Sequence, residues 1–268
     1  MSGSDFAIER GIKHYGLEVA RGNIVGAKAI NKYGKNIEVD SGVTADIWSR
    51  GKTVASGGTS LIWVAPTQAR THTIASTSAN DTSGGSGALT VRVSGLTSWT
   101  TTETSEIVTM NTGTPPTTDP YVIIHRMQVV TSGGTSINAG LITATATTDG
   151  TVTAAIEIGE GQTHMAIYGI PSIESLYIMQ IGSSVGKAGG ASGLVDVDLL
   201  VNSEPDAQLT QFKHKHHFGL GTTGSSGLIP DFDPPKCIAG PAIIKMQVDS
   251  GTNNMDIAGW FNGYVITN

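Results

Sequence analysis

Charged side chains are scarce in this sequence. They make up 14% of the 268 residues, whereas about a quarter is typical of soluble domains. The 16 Lys and Arg residues are outnumbered by 22 Asp and Glu residues, which leaves a net charge of −6. Binding to nucleic acid requires clusters of Lys and Arg that neutralise phosphate groups. We therefore expect no nucleic-acid partner.

Cysteine and long apolar segments are also scarce. Cys237 is the single cysteine, so no disulfide can form within the chain, and we interpret this residue as a packing residue. No apolar run approaches the roughly 20 residues that a membrane-spanning helix needs. The N-terminus also lacks an apolar segment followed by a small-residue cleavage site. The sequence therefore predicts no membrane partner and synthesis in the cytoplasm.

Short β-strand patterns dominate the first half of the chain. Runs rich in Val, Ile and Thr, each closed by turn residues, lie at 88–94, 103–110, 121–130, 141–147 and 151–156. Alternation with period two in runs bounded by turn residues is typical of half-buried antiparallel strands. Entry strands are predicted at 45–48, 61–64 and 71–76. Together these runs predict a β-sandwich domain over residues 41–158.

The strand pattern restarts after Gly159. We expect strands at 164–170, 175–185, 194–201, 208–218, 241–249 and 255–267. Residues 219–236 are rich in Gly and Pro and predict a long irregular loop. Six strands in about 110 residues suffice for a second sandwich or jelly roll over 159–268. One large sandwich built from both halves is the alternative.

Residues 1–40 have a different composition. Basic residues are spread among apolar ones, at Arg10, Lys13, Arg21, Lys28, Lys32 and Lys35. Asp5 could cap a helix over residues 6–20, although Gly11 and Gly16 weaken that pattern. We interpret this segment as an extended N-terminal arm. It is either a frayed terminus or an arm that becomes ordered against a neighbouring subunit.

The histidine-rich segment 212–218 is the most unusual stretch for chemistry. On a strand, His214 and His216 share one face and could chelate a metal. In a trimer, three such pairs around an axis could supply six nitrogens. Two ligands from one chain are too few for a structural zinc site. We interpret the segment as a solvated or interface strand, and we expect no metal and no other cofactor.

Catalytic constellations are not apparent. The glycines at 219–224 match G-x-G-x-x-G, but the residues that follow cannot open the helix that dinucleotide binding requires. Glu103 and Glu106 fall on opposite strand faces, and no Gly-x-Ser-x-Gly elbow is present. We therefore predict that the protein is not an enzyme. The tryptophans are interpreted as core or interface residues, with a sugar site as the alternative: Trp48, Trp63, Trp99 and Trp260.

Eight short segments spread along the chain form a recognisable series. They are Val19-Ala-Arg-Gly, Asn31-Lys-Tyr-Gly-Lys-Asn-Ile, Asp46-Ile-Trp, Ala75-Ser-Thr-Ser-Ala-Asn-Asp, Gly87-Ala-Leu-Thr-Val-Arg-Val-Ser-Gly-Leu, Ile137-Asn-Ala-Gly-Leu-Ile-Thr, Glu160-Gly-Gln-Thr-His-Met-Ala-Ile-Tyr and Lys215-His-His-Phe-Gly-Leu. This series resembles a group of β-rich structural proteins of tailed bacteriophages that is common in marine podophage genomes. It covers most of the chain from about residue 19. The resemblance implies a virion component that forms an oligomer, and it carries over no catalytic residues.

The sequence and this resemblance together predict a virion structural protein, either a capsid-decoration or a tail-associated subunit. It would bind copies of itself, as a trimer, and phage capsid or tail proteins. In the N-terminal arm we expect Ile30 and Tyr33 to act as apolar anchors and Arg21 as a charge partner. The alternative function is a receptor- or glycan-binding module of a fibre or spike, with residues 219–236 and the tryptophans as its contact surface.

Overall fold

The computed structural model describes residues 15–49, 61–187, 192–207, 211–222 and 225–268. A short helix, α1, covers residues 15–20, and a 3-10 turn covers Pro205–Ala207. The strands of the described chain are β1 (Ala27–Val39), β2 (Val43–Asp46), β3 (His72–Ser76), β4 (Ala88–Leu96), β5 (Thr104–Thr109), β6 (Ile123–Ser132), β7 (Ile142–Ala146), β8 (Val152–Ile156), β9 (Ile167–Ile170), β10 (Glu174–Lys187), β11 (Gly193–Asn202), β12 (Lys213–Thr222), β13 (Ser225–Leu228), β14 (Asp231–Ala239), β15 (Ala242–Ser250) and β16 (Met255–Thr267). No helix among the described residues is long and apolar enough to cross a membrane.

These strands form four antiparallel sheets. Sheet A has the order β1-β16-β10-β13, with β14 also paired to β10. Sheet B has the order β12-β11-β15-β2, with β9 also paired to β15. Sheet C contains β3-β7-β8, and sheet D contains β5-β4-β6. The prediction of an all-β, antiparallel protein is therefore confirmed.

The prediction of two successive sandwich domains behind an arm is wrong. The four sheets are arranged like the blades of a four-bladed propeller. In addition, β2, which was assigned to the first domain at 41–158, pairs with β15 near the C-terminus. Strand pairing thus joins distant parts of the chain that alternation alone could not connect. The boundary between residues 158 and 159 stays a prediction.

Two apolar clusters fill the space between the sheets. The first is built by inward side chains of sheets A and B, such as Ile178, Phe261, Val197 and Met246. The second is built mainly by sheets C and D. Trp48 and Trp63 belong to the second cluster and are 0% and 2% exposed. These two tryptophans are therefore core residues and do not line a sugar site.

Residues 27–39 form a strand of sheet A and not an arm. β1 pairs with β16 from Ala27 opposite Ile266 to Val39 opposite Met255. The sequence obscured this strand because Lys28 and Lys32 lie on the inward face of β1, opposite Val265 and Phe261, whereas lysines usually face water. The structure supplies each lysine with an oxygen partner instead. Residues 1–14 of the predicted arm, with most of the predicted 6–20 helix, lie outside the described residues.

The segment predicted as a long loop, 219–236, is largely strand. Within its described part, β12 continues to Thr222, β13 follows at Ser225–Leu228, and β14 begins at Asp231. β14 contains two prolines, Pro234 and Pro235, which cannot donate a hydrogen bond within a ladder. They are accommodated because the ladder with β10 is interrupted there, since the register passes from Lys236 opposite Ile178 to Asp231 opposite Gln180. The predicted entry strand at 61–64 is not a strand in the structure.

A substitution at Gly34 tests whether β1 packs closely against the neighbouring backbone. A Cβ at this position would overlap the carbonyl oxygen of Ile47 and the amide nitrogen of Ala166. We expect Gly34→Ala to lower the free energy of unfolding by about 1–3 kcal/mol, because backbone cannot move aside as a flexible side chain can. Denaturant unfolding measures this change. Gly84→Ala is the control, since its Cβ would meet nothing within 4 Å, and equal stability of both variants would contradict the packed strand.

His72 makes stability depend on pH. Its side chain is fully buried at the start of β3, and burial lowers the pKa of His72 from 6.5 to about 4. The folded state therefore binds fewer protons than the unfolded state between these two values. The stability that this residue contributes is complete above pH 6.5 and is lost as the pH falls towards about 4.

We expect His72→Phe to flatten the loss of stability between pH 6.5 and 4, measured by thermal unfolding across that range. A slope remains in this variant because burial also lowers the pKa of His125 and of His164. His214→Phe is the matched control, since the His214 side chain is 68% exposed. An unchanged slope in His72→Phe would show that His72 is not buried in its neutral form.

Candidate functional site

An open cleft of about 450 Å³ lies where β1 begins, between sheet A and sheet D. Its walls come from the start of β1, the ends of β10 and β16, and the segment that leads into β5. Most lining groups are hydroxyls, charged side chains or backbone. The lining residues are Gly26, Ala27, Lys28, Ser94, Thr102, Glu103, Thr104, Ser105, Glu174, Val265 and Thr267.

Lys28 lies between two carboxylates in this cleft. Its Nζ is 3.5 Å from Glu103 Oε2 and 3.4 Å from Glu174 Oε2. The register of sheet A places these groups, because β1 and β10 both pair with β16. Glu174 is buried, and its Oε2 has no hydrogen-bond partner among the described residues. Lys28 is thus shared by two carboxylates, one of which is buried.

Glu103 also contacts the interior of the molecule. Its Oε1 is 3.4 Å from His125 Nε2, and its Oε2 accepts a hydrogen bond of 3.5 Å from the Tyr168 hydroxyl. The rings of His125 and Tyr168 lie 4.5 Å apart between centroids. Lys32 donates a hydrogen bond to the His125 carbonyl oxygen. These contacts join sheets A, B and D beneath the cleft.

The surroundings shift the protonation of these groups strongly. Burial alone raises the pKa of Glu103, but the hydrogen bond and charge of His125 and the charges of Lys28 and Lys32 lower it to about 2. Burial lowers the pKa of His125 and lowers the pKa of Lys32 to about 7. Glu103 is therefore ionised and His125 neutral at neutral pH. Because Glu103 is ionised, it can bind a cation, and it has no proton to donate.

An apolar rim flanks the cleft and consists of Val25 and Ile173, which adjoin the lining residues Gly26 and Glu174 in the chain. Val25 is 99% exposed. Its turn is fixed, because Ala27 N donates to Ile24 O and Thr267 N donates to Gly26 O. Ile173 lies beside the same end of the sheet, where its carbonyl accepts from Asn268 N. The rim therefore presents ordered apolar side chains next to an anionic cleft.

The predicted partner-binding residues take different positions. Arg21 lies just beyond α1, is 59% exposed and pairs with Glu18 at 3.2 Å. Tyr33 is 41% exposed, and its ring lies 4.9 Å from that of His164. Ile30 is partly buried against the first apolar cluster. Arg21 and Tyr33 are thus accessible, whereas Ile30 contributes to the core, and the binding role of all three stays a prediction.

The histidine pair predicted on β12 is rearranged by a β-bulge. The register shifts so that His216 lies opposite Leu199 and His214 opposite Leu200, and Lys215 is the extra residue. As a result His214 and His217 both contact Asp198, at 3.2 and 2.8 Å. His216 instead lies against Phe232, with ring centroids 5.2 Å apart. No group of three or more His, Cys, Asp or Glu residues in the described chain is placed to hold a metal.

Sequence reasoning missed the cleft because it compared Glu103 with the nearby Glu106 only. The partners of Glu103 come from three distant strands, at Lys28, His125 and Tyr168. The signal available in the sequence was the pair Lys28 and Lys32, which share one face of a segment otherwise typical of a strand. No family model, curated protein or solved structure matches this chain.

Lys28 is the cation that Glu103 and Glu174 share in the cleft, so its removal tests the contribution of these ion pairs to stability. We expect Lys28→Gln to lower the free energy of unfolding by about 1–3 kcal/mol at pH 7, because Glu174 would remain buried without its cation. Chemical denaturation measures the change. Lys35→Gln removes a comparable but more exposed ion pair with Glu160, which should cost about 0–1 kcal/mol. If the two variants were equally stable, the cleft charges would be screened by solvent.

Proposed function

We propose that this protein is a bacteriophage virion structural protein, a capsid-decoration or tail-associated subunit that acts through protein–protein contacts. The observation that carries the proposal is the ordered apolar rim beside an anionic cleft. Val25 is fully exposed on a fixed turn, and exposing such a side chain to water is unfavourable. A partner that covers the rim removes this cost.

The chemistry of the cleft defines what that partner presents. Glu103 and Glu174 share Lys28, so a Lys or Arg side chain from the partner would find carboxylate oxygens to pair with in the cleft. The hydroxyls of Ser94, Thr102 and Ser105 line the same space and can bond to a polypeptide backbone. The cleft is therefore suited to a basic segment of a neighbouring subunit, with an apolar residue seated on the rim.

The resemblance to tailed-phage structural proteins supports placing these contacts in a virion. In this proposal copies of the chain form a trimer, and the rim and cleft bind a capsid or tail protein. The protein is made in the host cytoplasm and becomes part of the particle on assembly. No enzymatic step is part of this role.

A substitution at Val25 tests the assembly role. We expect Val25→Asp to reduce incorporation into particles by about tenfold or more, because a carboxylate would be placed against the partner's apolar surface. The unfolding midpoint should not change, since the wild-type side chain makes no buried contact. Sedimentation velocity measures self-association, and analysis of purified particles measures incorporation.

Ile158→Asp is the matched control. Ile158 is 62% exposed and precedes the turn at Gly159, away from the cleft. This variant should assemble as the wild type does. Normal assembly of Val25→Asp, or a wild-type protein that stays monomeric and is absent from particles, would refute the proposed role.

A further inference from the structure

The outer face of sheet A carries rows of aromatic and amide side chains that the assembly role does not use. This outer face is the side of β1, β16, β10 and β14 that points away from the core shared with sheet B. Its rows follow from the strand register. Tyr264 lies opposite Tyr177 in one row, Asn262 lies opposite Gln180 in the next, and Trp260 lies opposite Gly182 in the third.

Trp260 lies against the sheet instead of projecting from it. A Cβ at Gly182 would overlap the Cε2 and Cζ2 atoms of the indole. The ring thus occupies the space above a glycine that has no side chain to displace it. Trp260 remains part-exposed, so an aromatic surface is available to a ligand.

The middle row is a chain of polar groups. Asn262 Nδ2 donates to Gln180 Oε1 at 3.2 Å, and Gln180 Nε2 donates to Asp231 Oδ1 at 2.7 Å. Each of these bonds uses one N–H of an amide that carries two. The row therefore has fixed geometry and further capacity to donate and accept hydrogen bonds.

A shallow cleft of about 340 Å³ opens along this row. Its lining combines polar and apolar groups, at Met179, Gln180, Asp231, Phe232, Asp233, Pro235 and Asn262. Pockets for small ligands begin at about 300 Å³. Residues two apart on a strand are about 7 Å apart, so Trp260 and Tyr264 each lie one such step from Asn262 along β16. Tyr264 also contacts Tyr15 of α1, with ring centroids 5.9 Å apart, which leaves Trp260 as the aromatic group nearest the cleft that is open to a ligand.

We propose that the outer face of sheet A binds a neutral oligosaccharide. Sugar rings present C–H faces that pack on aromatic rings and hydroxyls that both donate and accept hydrogen bonds. Trp260 would pack against one sugar ring, while Gln180, Asn262 and Asp231 bond the hydroxyls of the ring beside it. The carboxylates of Asp231 and Asp233 favour a neutral glycan over an anionic one.

A protein surface fits this face less well than a glycan. The polar row separates Trp260 from Tyr264 and Tyr177, so the aromatic area is not one continuous apolar patch. A flat protein partner would have to satisfy every amide and carboxylate of the row to avoid the cost of burying it. Hydroxyl groups on a flexible glycan meet that requirement readily. This site is independent of the rim and cleft proposed for assembly.

The test is native-gel affinity electrophoresis of the full chain through dextran, galactomannan or xyloglucan, with anionic polygalacturonate as a fourth arm. We expect at least one neutral polysaccharide to retard the protein. Gln180→Ala should raise the dissociation constant about two- to tenfold, as expected for one lost hydrogen bond. Trp260→Ala should raise the dissociation constant about tenfold or more. Val25→Asp should be retarded normally, which separates this site from assembly.

Gln128→Ala, on β6 of sheet D, is the matched control and should bind as the wild type does. Thermal unfolding checks that Trp260→Ala is folded, and Gln180→Ala keeps the test valid if it is not. Three results would overturn the proposal. These are no retardation by any neutral polysaccharide, retardation by polygalacturonate alone, or conversion of an oligomer to monomer by Trp260→Ala without a change in glycan binding.

Discussion

The pairing of the first described strand with the last is the constraint on which the rest of the structure depends. β1 and β16 pair over nearly their whole lengths, and β16 also pairs with β10 at the centre of sheet A. This register brings Lys28 to Glu174, fixes the turn that exposes Val25, and sets out the rows of the outer face. Both proposed binding surfaces are therefore products of one ladder, with contacts far apart in sequence.

Charges taken into the interior are tolerated because each has an opposite charge or a hydrogen-bonding oxygen. Lys245 lies 2.7 Å from Asp46, which also accepts bonds from Gln247 and from the Trp63 amide. Lys28 is held by two carboxylates in the same way. Removing one partner from such a group leaves an uncompensated charge and costs more than the pair contributes when intact. The sheets are thus joined by polar contacts as well as by the two apolar clusters.

Local alternation was enough to predict most strands, because burial on one face fixes a period of two. The run predicted at 255–267 matches β16 (Met255–Thr267), and that at 151–156 nearly matches β8 (Val152–Ile156). Failures arose where the period was hidden. Alternating lysines hid β1, the prolines of an edge strand hid β14, and a bulge exchanged His216 for His217 on one face of β12. The cleft could not be predicted, since its charges meet only through long-range pairing.

Scarcity of charge has a consequence for recognition. Many of the few basic residues are engaged within the fold, as Lys28 and Lys245 are by ion pairs and Lys32 is by a carbonyl oxygen. Few basic side chains therefore remain to attract an anionic partner at long range. Recognition must then rely on short-range contacts, through apolar side chains such as Val25 and aromatic and amide groups such as Trp260 and Gln180. Such contacts are insensitive to salt, so glycan binding at the outer face of sheet A should depend on shape and hydrogen bonding more than on ionic strength.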